Sequence, residues 1–134
     1  MTNTPQETAC PFCTPANHQV VALHGTVYAI ADANPVCDHH SLIIPLRHCR
    51  DYFEMTPDEH KDARELIQRL SQEIREKDPS VTGFNIGANC GESAGQTVFH
   101  THIHLIPRRN NDTPCPRGGV RGVIPDKMNY PTTN

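Results

Sequence analysis

Helix and strand are both predicted in this chain, and three observations predict them. One stretch repeats apolar residues at helical spacing between well-marked ends. Five short apolar runs of strand length lie between turn residues. The chain has 134 residues, one domain's worth, and no internal repeat or low-complexity segment.

Taken in order, the first sixteen residues are polar and carry Cys10-Pro-Phe-Cys13. Residues 19–23 and 27–31, separated by His24-Gly25-Thr26, predict a hairpin. Asn34-Pro35 breaks that pattern, and Ser41-Leu-Ile-Ile-Pro45 reads as a buried strand stopped by proline. Thr56-Pro57-Asp58-Glu59 then supplies an N-cap residue, proline at the first helical position and the glutamate of a capping box. Ala63, Leu66, Ile67, Leu70 and Ile74 follow at helical spacing, and Asp78-Pro79 ends a long helix over about 57–77. Residues 83–87 predict a strand, 89–95 a loop, and 98–106 the last strand, ending at Pro107. Residues 107–134 hold five of the twelve prolines and five basic residues against two acidic ones, which predicts an extended basic tail.

Composition excludes several classes. A mean hydropathy of −0.56, with no apolar run near the ~20 residues that span a bilayer, argues against a transmembrane protein. The start MTNTPQETACPFC lacks the basic and apolar regions of a secretory signal, so a cytoplasmic protein is expected. Fifteen acidic and twelve basic residues give a net charge of −3 without blocks of either sign, which indicates neither nucleic-acid nor membrane binding. Six cysteines in a reducing compartment are expected as thiols or metal ligands.

Three of the nine histidines fall within five residues, in Gln96-Thr-Val-Phe-His100-Thr-His102-Ile-His104-Leu-Ile106. On a strand, His100, His102 and His104 share one face, with the outer two ~13 Å apart at the backbone. Zinc–nitrogen bonds of ~2.0–2.1 Å keep one ion from holding all three rings, although a pair, His100 with His102, remains geometrically allowed. The alternative is a polar strand face with incidental histidines. Cys10-x-x-Cys13 grips at most half a tetrahedral zinc site, so the missing ligands are sought among the histidines, with His48 and His100 as candidates. Cys49, beside His48, competes for that role. A redox pair is the other reading of the motif, weakened because no strand precedes it and no helix follows.

Residues 95–106 resemble the signature of the histidine triad (HIT) family of nucleotide hydrolases and transferases. Residues 34–48, Asn89-Cys90-Gly91 and the tail 117–125 are also similar to family segments, so the resemblance covers about residues 8–131. It implies one HIT domain over 1–134, of α+β fold, with an antiparallel sheet of about five strands and one long helix. It further implies a zinc-binding N-terminal segment, an extended C-terminal tail, a homodimer and a zinc-bearing bacterial member resembling dinucleoside polyphosphate hydrolases.

The same resemblance assigns roles. His102 is the nucleophile toward the α-phosphorus of an adenosine nucleotide, with His104, His100, Gln96 and Thr97 as the other catalytic positions. Asp32, His40, Asn89, Gln96, Thr97 and His104 would bind substrate, and Ile30 and Ile44 are either base-pocket lining or core. Cys10, Cys13, His48 and His100 would hold a structural Zn²⁺. A dinucleoside polyphosphate or a nucleoside phosphoramidate is the expected substrate. The alternatives are a zinc hydrolase using metal-activated water and a non-catalytic nucleotide-binding protein. His39 departs from the family's usual glycine, which puts a positive φ there in doubt. The tail arginines Arg117 and Arg121 are either polyphosphate contacts or part of a surface strap.

Overall fold

The computed structural model describes residues 10–131. Five strands form one antiparallel sheet: β1 (Val20–His24), β2 (Val27–Ala31), β3 (Ser41–Pro45), β4 (Val81–Gly87) and β5 (Ile103–Arg109), in the order β1-β2-β3-β5-β4. Helix α1 (Pro57–Lys77) lies between β3 and β4 in the chain. The expected α+β class, sheet and long helix are therefore present.

Pleating sorts the central strands into two faces. Val27, Ala29, Ile43, Ile103 and Leu105 point toward α1 and pack with Ala63, Leu66, Leu70 and Ile74. Tyr28, Ile30, Leu42 and Ile44 point the other way and pack with Phe12 from the N-terminal segment. Because both faces are covered, β2 and β3 read as unbroken apolar runs rather than alternating ones. The edge strand β1 alternates toward solvent instead.

Helix α1 begins where the sequence marks it. The Thr56 hydroxyl accepts the Glu59 amide at 3.1 Å, and Glu59 accepts the Thr56 amide at 2.8 Å. Glu59 is buried and also receives two hydrogen bonds from Arg47, at 3.0 and 2.8 Å. Burial pushes its carboxyl up, but Arg47 and the Thr56 amide outweigh it and leave the pKa below the ordinary value.

Two elements differ from expectation, β5 at both of its ends and the tail. The strand expected over 98–106 starts only at Ile103. Ahead of it, the Thr101 amide and hydroxyl both donate to the Cys49 carbonyl, at 2.8 and 3.1 Å, tying this stretch to the loop after β3 rather than to a ladder. His100 and His102 therefore lie before the strand, and only His104 is on it. Nor does Pro107 stop β5: the β3 ladder ends at Ser41 opposite Leu105, and beyond it β5 pairs with β4 as far as Arg109. The tail past Arg109 adds no strand, but it folds back through one turn of helix, α2 (Gly118–Arg121), and a 3₁₀ turn at Pro125–Lys127. Arg117 and Arg121 stack on Tyr130 and donate to the Tyr130 and Lys127 carbonyls, as a strap would.

Candidate active site

The connection from β2 to β3 carries the first site residues. The Asp32 amide donates to the His40 carbonyl at 3.0 Å, extending the β2–β3 pairing by one rung. His40 and Asp32 thereby project on the Leu42 face, away from α1. Leu42 lies opposite His104, so the pleat brings His104 to the same face. His39 takes φ +72°, so the left-handed turn forms without glycine; such a conformation costs a non-glycine residue roughly 1–2 kcal/mol.

Hydrogen bonds then set the tautomers in this row. The Val36 amide donates to His40 Nδ1 at 3.1 Å, which leaves the His40 proton on Nε2. His40 Nε2 lies 2.9 Å from His104 Nδ1 and 3.3 Å from Asp32 Oδ2. His104 Nδ1 accepts, so the His104 proton sits on Nε2. Burial lowers the pKa of both rings. At His40 the Asp32 carboxylate opposes that fall; at His104 it is reinforced by His102 and His40 and opposed by Asp32.

His102 is oriented by its own chain. Its Nδ1–H donates to the His100 carbonyl at 2.9 Å, leaving Nε2 with a free lone pair on a half-buried ring. The Phe12 ring packs against it, with centroids 5.0 Å apart.

Cys10, Cys13, His48 and His100 bring their ligand atoms within 4.8 Å of one another. Cys10 Sγ is 3.3 Å from His100 Nδ1, and Cys13 Sγ is 3.2 Å from His48 Nδ1 and 3.6 Å from His100 Nδ1. Zinc bonds of ~2.3 Å to sulfur and ~2.0–2.1 Å to nitrogen place S and N about 3.5 Å apart in a tetrahedron, so the donor set fits the ion. The outer support is also built. His100 Nε2 donates to the Pro45 carbonyl at 2.8 Å, directing the bare Nδ1 to the thiols. Burial drives the His100 pKa down to about 4, against the Pro45 carbonyl and with help from His48 and His102. Cys49 is not in this cluster; it is buried against the Thr101 hydroxyl at 3.2 Å.

The three triad histidines thus face three different environments: His100 the thiols, His102 a backbone carbonyl, and His104 the pair Asp32 and His40. Gln96 is buried with its amide fully engaged. Oε1 accepts from the Gly91 amide at 2.8 Å, and Nε2 donates to the Arg50 and Val98 carbonyls at 2.7 and 3.1 Å. It braces the loop that presents Thr97, which is exposed. Asn89 is exposed too, and its Nδ2 reaches the Gly95 carbonyl at 3.4 Å. Ile30 and Ile44 are buried in the Phe12 cluster, as core. Phe12 itself is the residue that sequence reasoning missed; its place between Cys10 and Cys13 was the available signal.

An antiparallel sheet with histidines at one strand's head and a Cys₂His₂ donor set beside them defines a class of protein, and comparison with known families agrees. The HIT domain model matches residues 14–111, and the chain belongs to that family. An uncharacterised HIT-like protein of Borreliella burgdorferi is 33% identical over 108 residues, which cover 77% of this chain and 78% of that protein. A bis(5'-nucleosyl)-tetraphosphatase (asymmetrical) of Schizosaccharomyces pombe is 38% identical over 84 residues, covering 63% of this chain and 46% of that enzyme. Among solved structures, a zinc-bound histidine triad family protein from Mycobacterium smegmatis superposes with a TM-score of 0.73 at 32% identity, covering 80% of each chain.

Proposed function

We propose that this protein is a nucleotide hydrolase or nucleotidyl transferase that attacks the α-phosphate of an adenosine nucleotide through His102. The single observation that carries this reading is the Nδ1–H bond from His102 to the His100 carbonyl, which in the neutral ring puts the lone pair on Nε2. As Nε2 bonds to phosphorus, the phosphorus–oxygen bond to the leaving group breaks and its electron pair departs with that group. The ring becomes cationic, and the His100 carbonyl holding Nδ1–H stabilises that charge. Water then attacks the same phosphorus and gives up a proton to solvent, the phosphorus–nitrogen bond breaks with its electron pair returning to Nε2, and His102 is neutral again; in a transferase another acceptor takes the place of water. His104 supplies a donor from Nε2 to a phosphate oxygen. Asp32 faces the ribose, and Asn89 and Thr97 lie on the loops that would border the phosphates.

Zinc is the metal that Cys10, Cys13, His48 and His100 would hold, tying the N-terminal segment to the sheet. Four protein donors make a closed set, which argues against a metal-activated water as nucleophile. The name of the fission yeast relative supports a dinucleoside polyphosphate as substrate. A homodimer is supported by the apolar groove beside edge strand β4, lined by Tyr52, Ile67, Ile86 and Ile103, with Ile86 51% exposed. A reducing, cytoplasmic setting suits described cysteines that form no disulfide, and no helix among the described residues is long and apolar enough to cross a membrane.

The test is turnover of a panel of dinucleoside polyphosphates, nucleotide sugars and phosphoramidates by wild type and His102→Ala. Turnover by wild type and none by the folded variant is expected. Equal turnover by both would remove His102 from the chemistry.

A further inference from the structure

Phe12 stands between the two cysteines of the Cys10/Cys13/His48/His100 cluster and is only 8% exposed. Three histidine rings surround it: His18 at 5.5 Å, His100 at 6.1 Å edge-on, and His102 at 5.0 Å, centroid to centroid. Its backbone is clamped as well. The Tyr28 hydroxyl, on a side chain with no exposure, donates to the Phe12 carbonyl at 2.5 Å. The tight turn that presents the ring closes through the Cys13 amide and the Cys10 carbonyl at 3.4 Å.

His102 therefore has two restraints, and both come from the cluster. Its Nδ1–H is held by the carbonyl of His100, whose Nδ1 faces the thiols. Its ring is backed by Phe12, which adjoins Cys13 in the chain and is separated from Cys10 by Pro11 alone. A hydrogen bond at Nδ1 fixes the ring's direction but leaves it free to tilt about that bond. The Phe12 ring, in contact at 5.0 Å with the two ring planes inclined by 60°, limits that tilt.

We propose that Phe12 is a positioning residue for His102 and that it makes the Cys/His cluster a device for aiming the nucleophile, beyond its part in stability. This rests on the proposed role of His102, but its geometric half does not. The prediction for rate follows from in-line geometry, where a displacement of ~1 Å costs on the order of 10²-fold.

The experiment uses the full chain as purified, with metal content measured alongside. Phe12→Leu keeps an apolar side chain in the gap while removing the ring–ring contact, and Phe12→Tyr restores it. Histidine-selective NMR of His102, recorded without any nucleotide, reports the geometry. The expected result is a moved and broadened His102 ring resonance in Phe12→Leu, with metal stoichiometry unchanged and the resonance recovered in Phe12→Tyr. With a turned-over nucleotide, kcat of Phe12→Leu falls about ten- to a hundred-fold at nearly constant KM. A change confined to KM would make Phe12 part of the substrate pocket and overturn the proposal. So would an unmoved His102 resonance, or a loss of kcat seen only where metal is also lost. If no nucleotide is turned over by wild type while the resonance moves as described, the reading of function fails and the aiming role stands.

Discussion

Replacing His40 by asparagine should loosen the proton arrangement of its neighbour His104. In the native row the Val36 amide donates to His40 Nδ1 at 3.1 Å, and His40 Nε2–H faces His104 Nδ1 at 2.9 Å. An asparagine carbonyl at position 40 can still accept from Val36, but its shorter side chain leaves His104 Nδ1 without a donor. One hydrogen bond of about 1–1.5 kcal/mol then no longer favours the Nε2–H form of His104. At about 1.4 kcal/mol per tenfold, a tautomer preference of roughly five- to twelve-to-one is lost, so kcat should fall about twofold, because the donor aimed at the phosphate is present only part of the time. Nitrogen-15 NMR of labelled histidine reads the tautomer directly, and steady-state assays read kcat and KM. Wild type should show His104 as a single Nε2–H tautomer and His40→Asn a mixture, with KM little changed. A wild-type His104 carrying its proton on Nδ1 would refute the reasoning, as would a variant with one tautomer and unaltered kcat.

The remaining expectations are simpler. Because burial lowers the pKa of His40 and His104, the unfolded chain takes up protons that the folded chain refuses. Stability should be full above the ordinary histidine pKa of about 6.5 and decline as pH drops through it toward the lowered folded values. Urea titrations at pH 7.5 and 5.5 check this, and equal unfolding free energies would contradict it. Glu59→Ala removes half of the capping box and the partner of a half-exposed Arg47, so a loss of about 1–2 kcal/mol is expected. That corresponds to roughly 3–10 °C in Tm by calorimetry; an unchanged Tm would show that the cap and ion pair contribute nothing. Cys10→Ser and Cys13→Ser should each lower zinc stoichiometry by elemental analysis and reduce Tm, and full retention of zinc in both would defeat the assignment of the cluster.

Local signals were legible where they decide local structure. Thr56, Pro57 and Glu59 start α1, and Asp78-Pro79 ends it, because caps and proline act within one turn of chain. The four cluster residues were legible as well, since a lone C-x-x-C demands two further donors. The head of β5 was not legible. Alternating residues over 98–106 match a strand, but the Cys49 carbonyl captures Thr101, and that contact spans fifty-two residues of sequence. The partners of Gln96 were not legible either: the family resemblance implies a phosphate contact, and the three backbone groups its amide engages lie on separate loops. His39 shows the converse, a positive φ imposed on a residue that disfavours it by a turn closed through the Cys37 carbonyl. The place of Phe12 was not legible because its contacts with His102 and Tyr28 exist only once the segment is laid on the sheet.

The most direct measurement is capture of the covalent intermediate. A substrate that is turned over, quenched in alkaline denaturant within milliseconds and digested, should yield a His102-containing peptide heavier by one nucleotidyl group, and His102→Ala should yield none. Turnover with no modified peptide, or with the nucleotidyl group on a different histidine, would contradict the account.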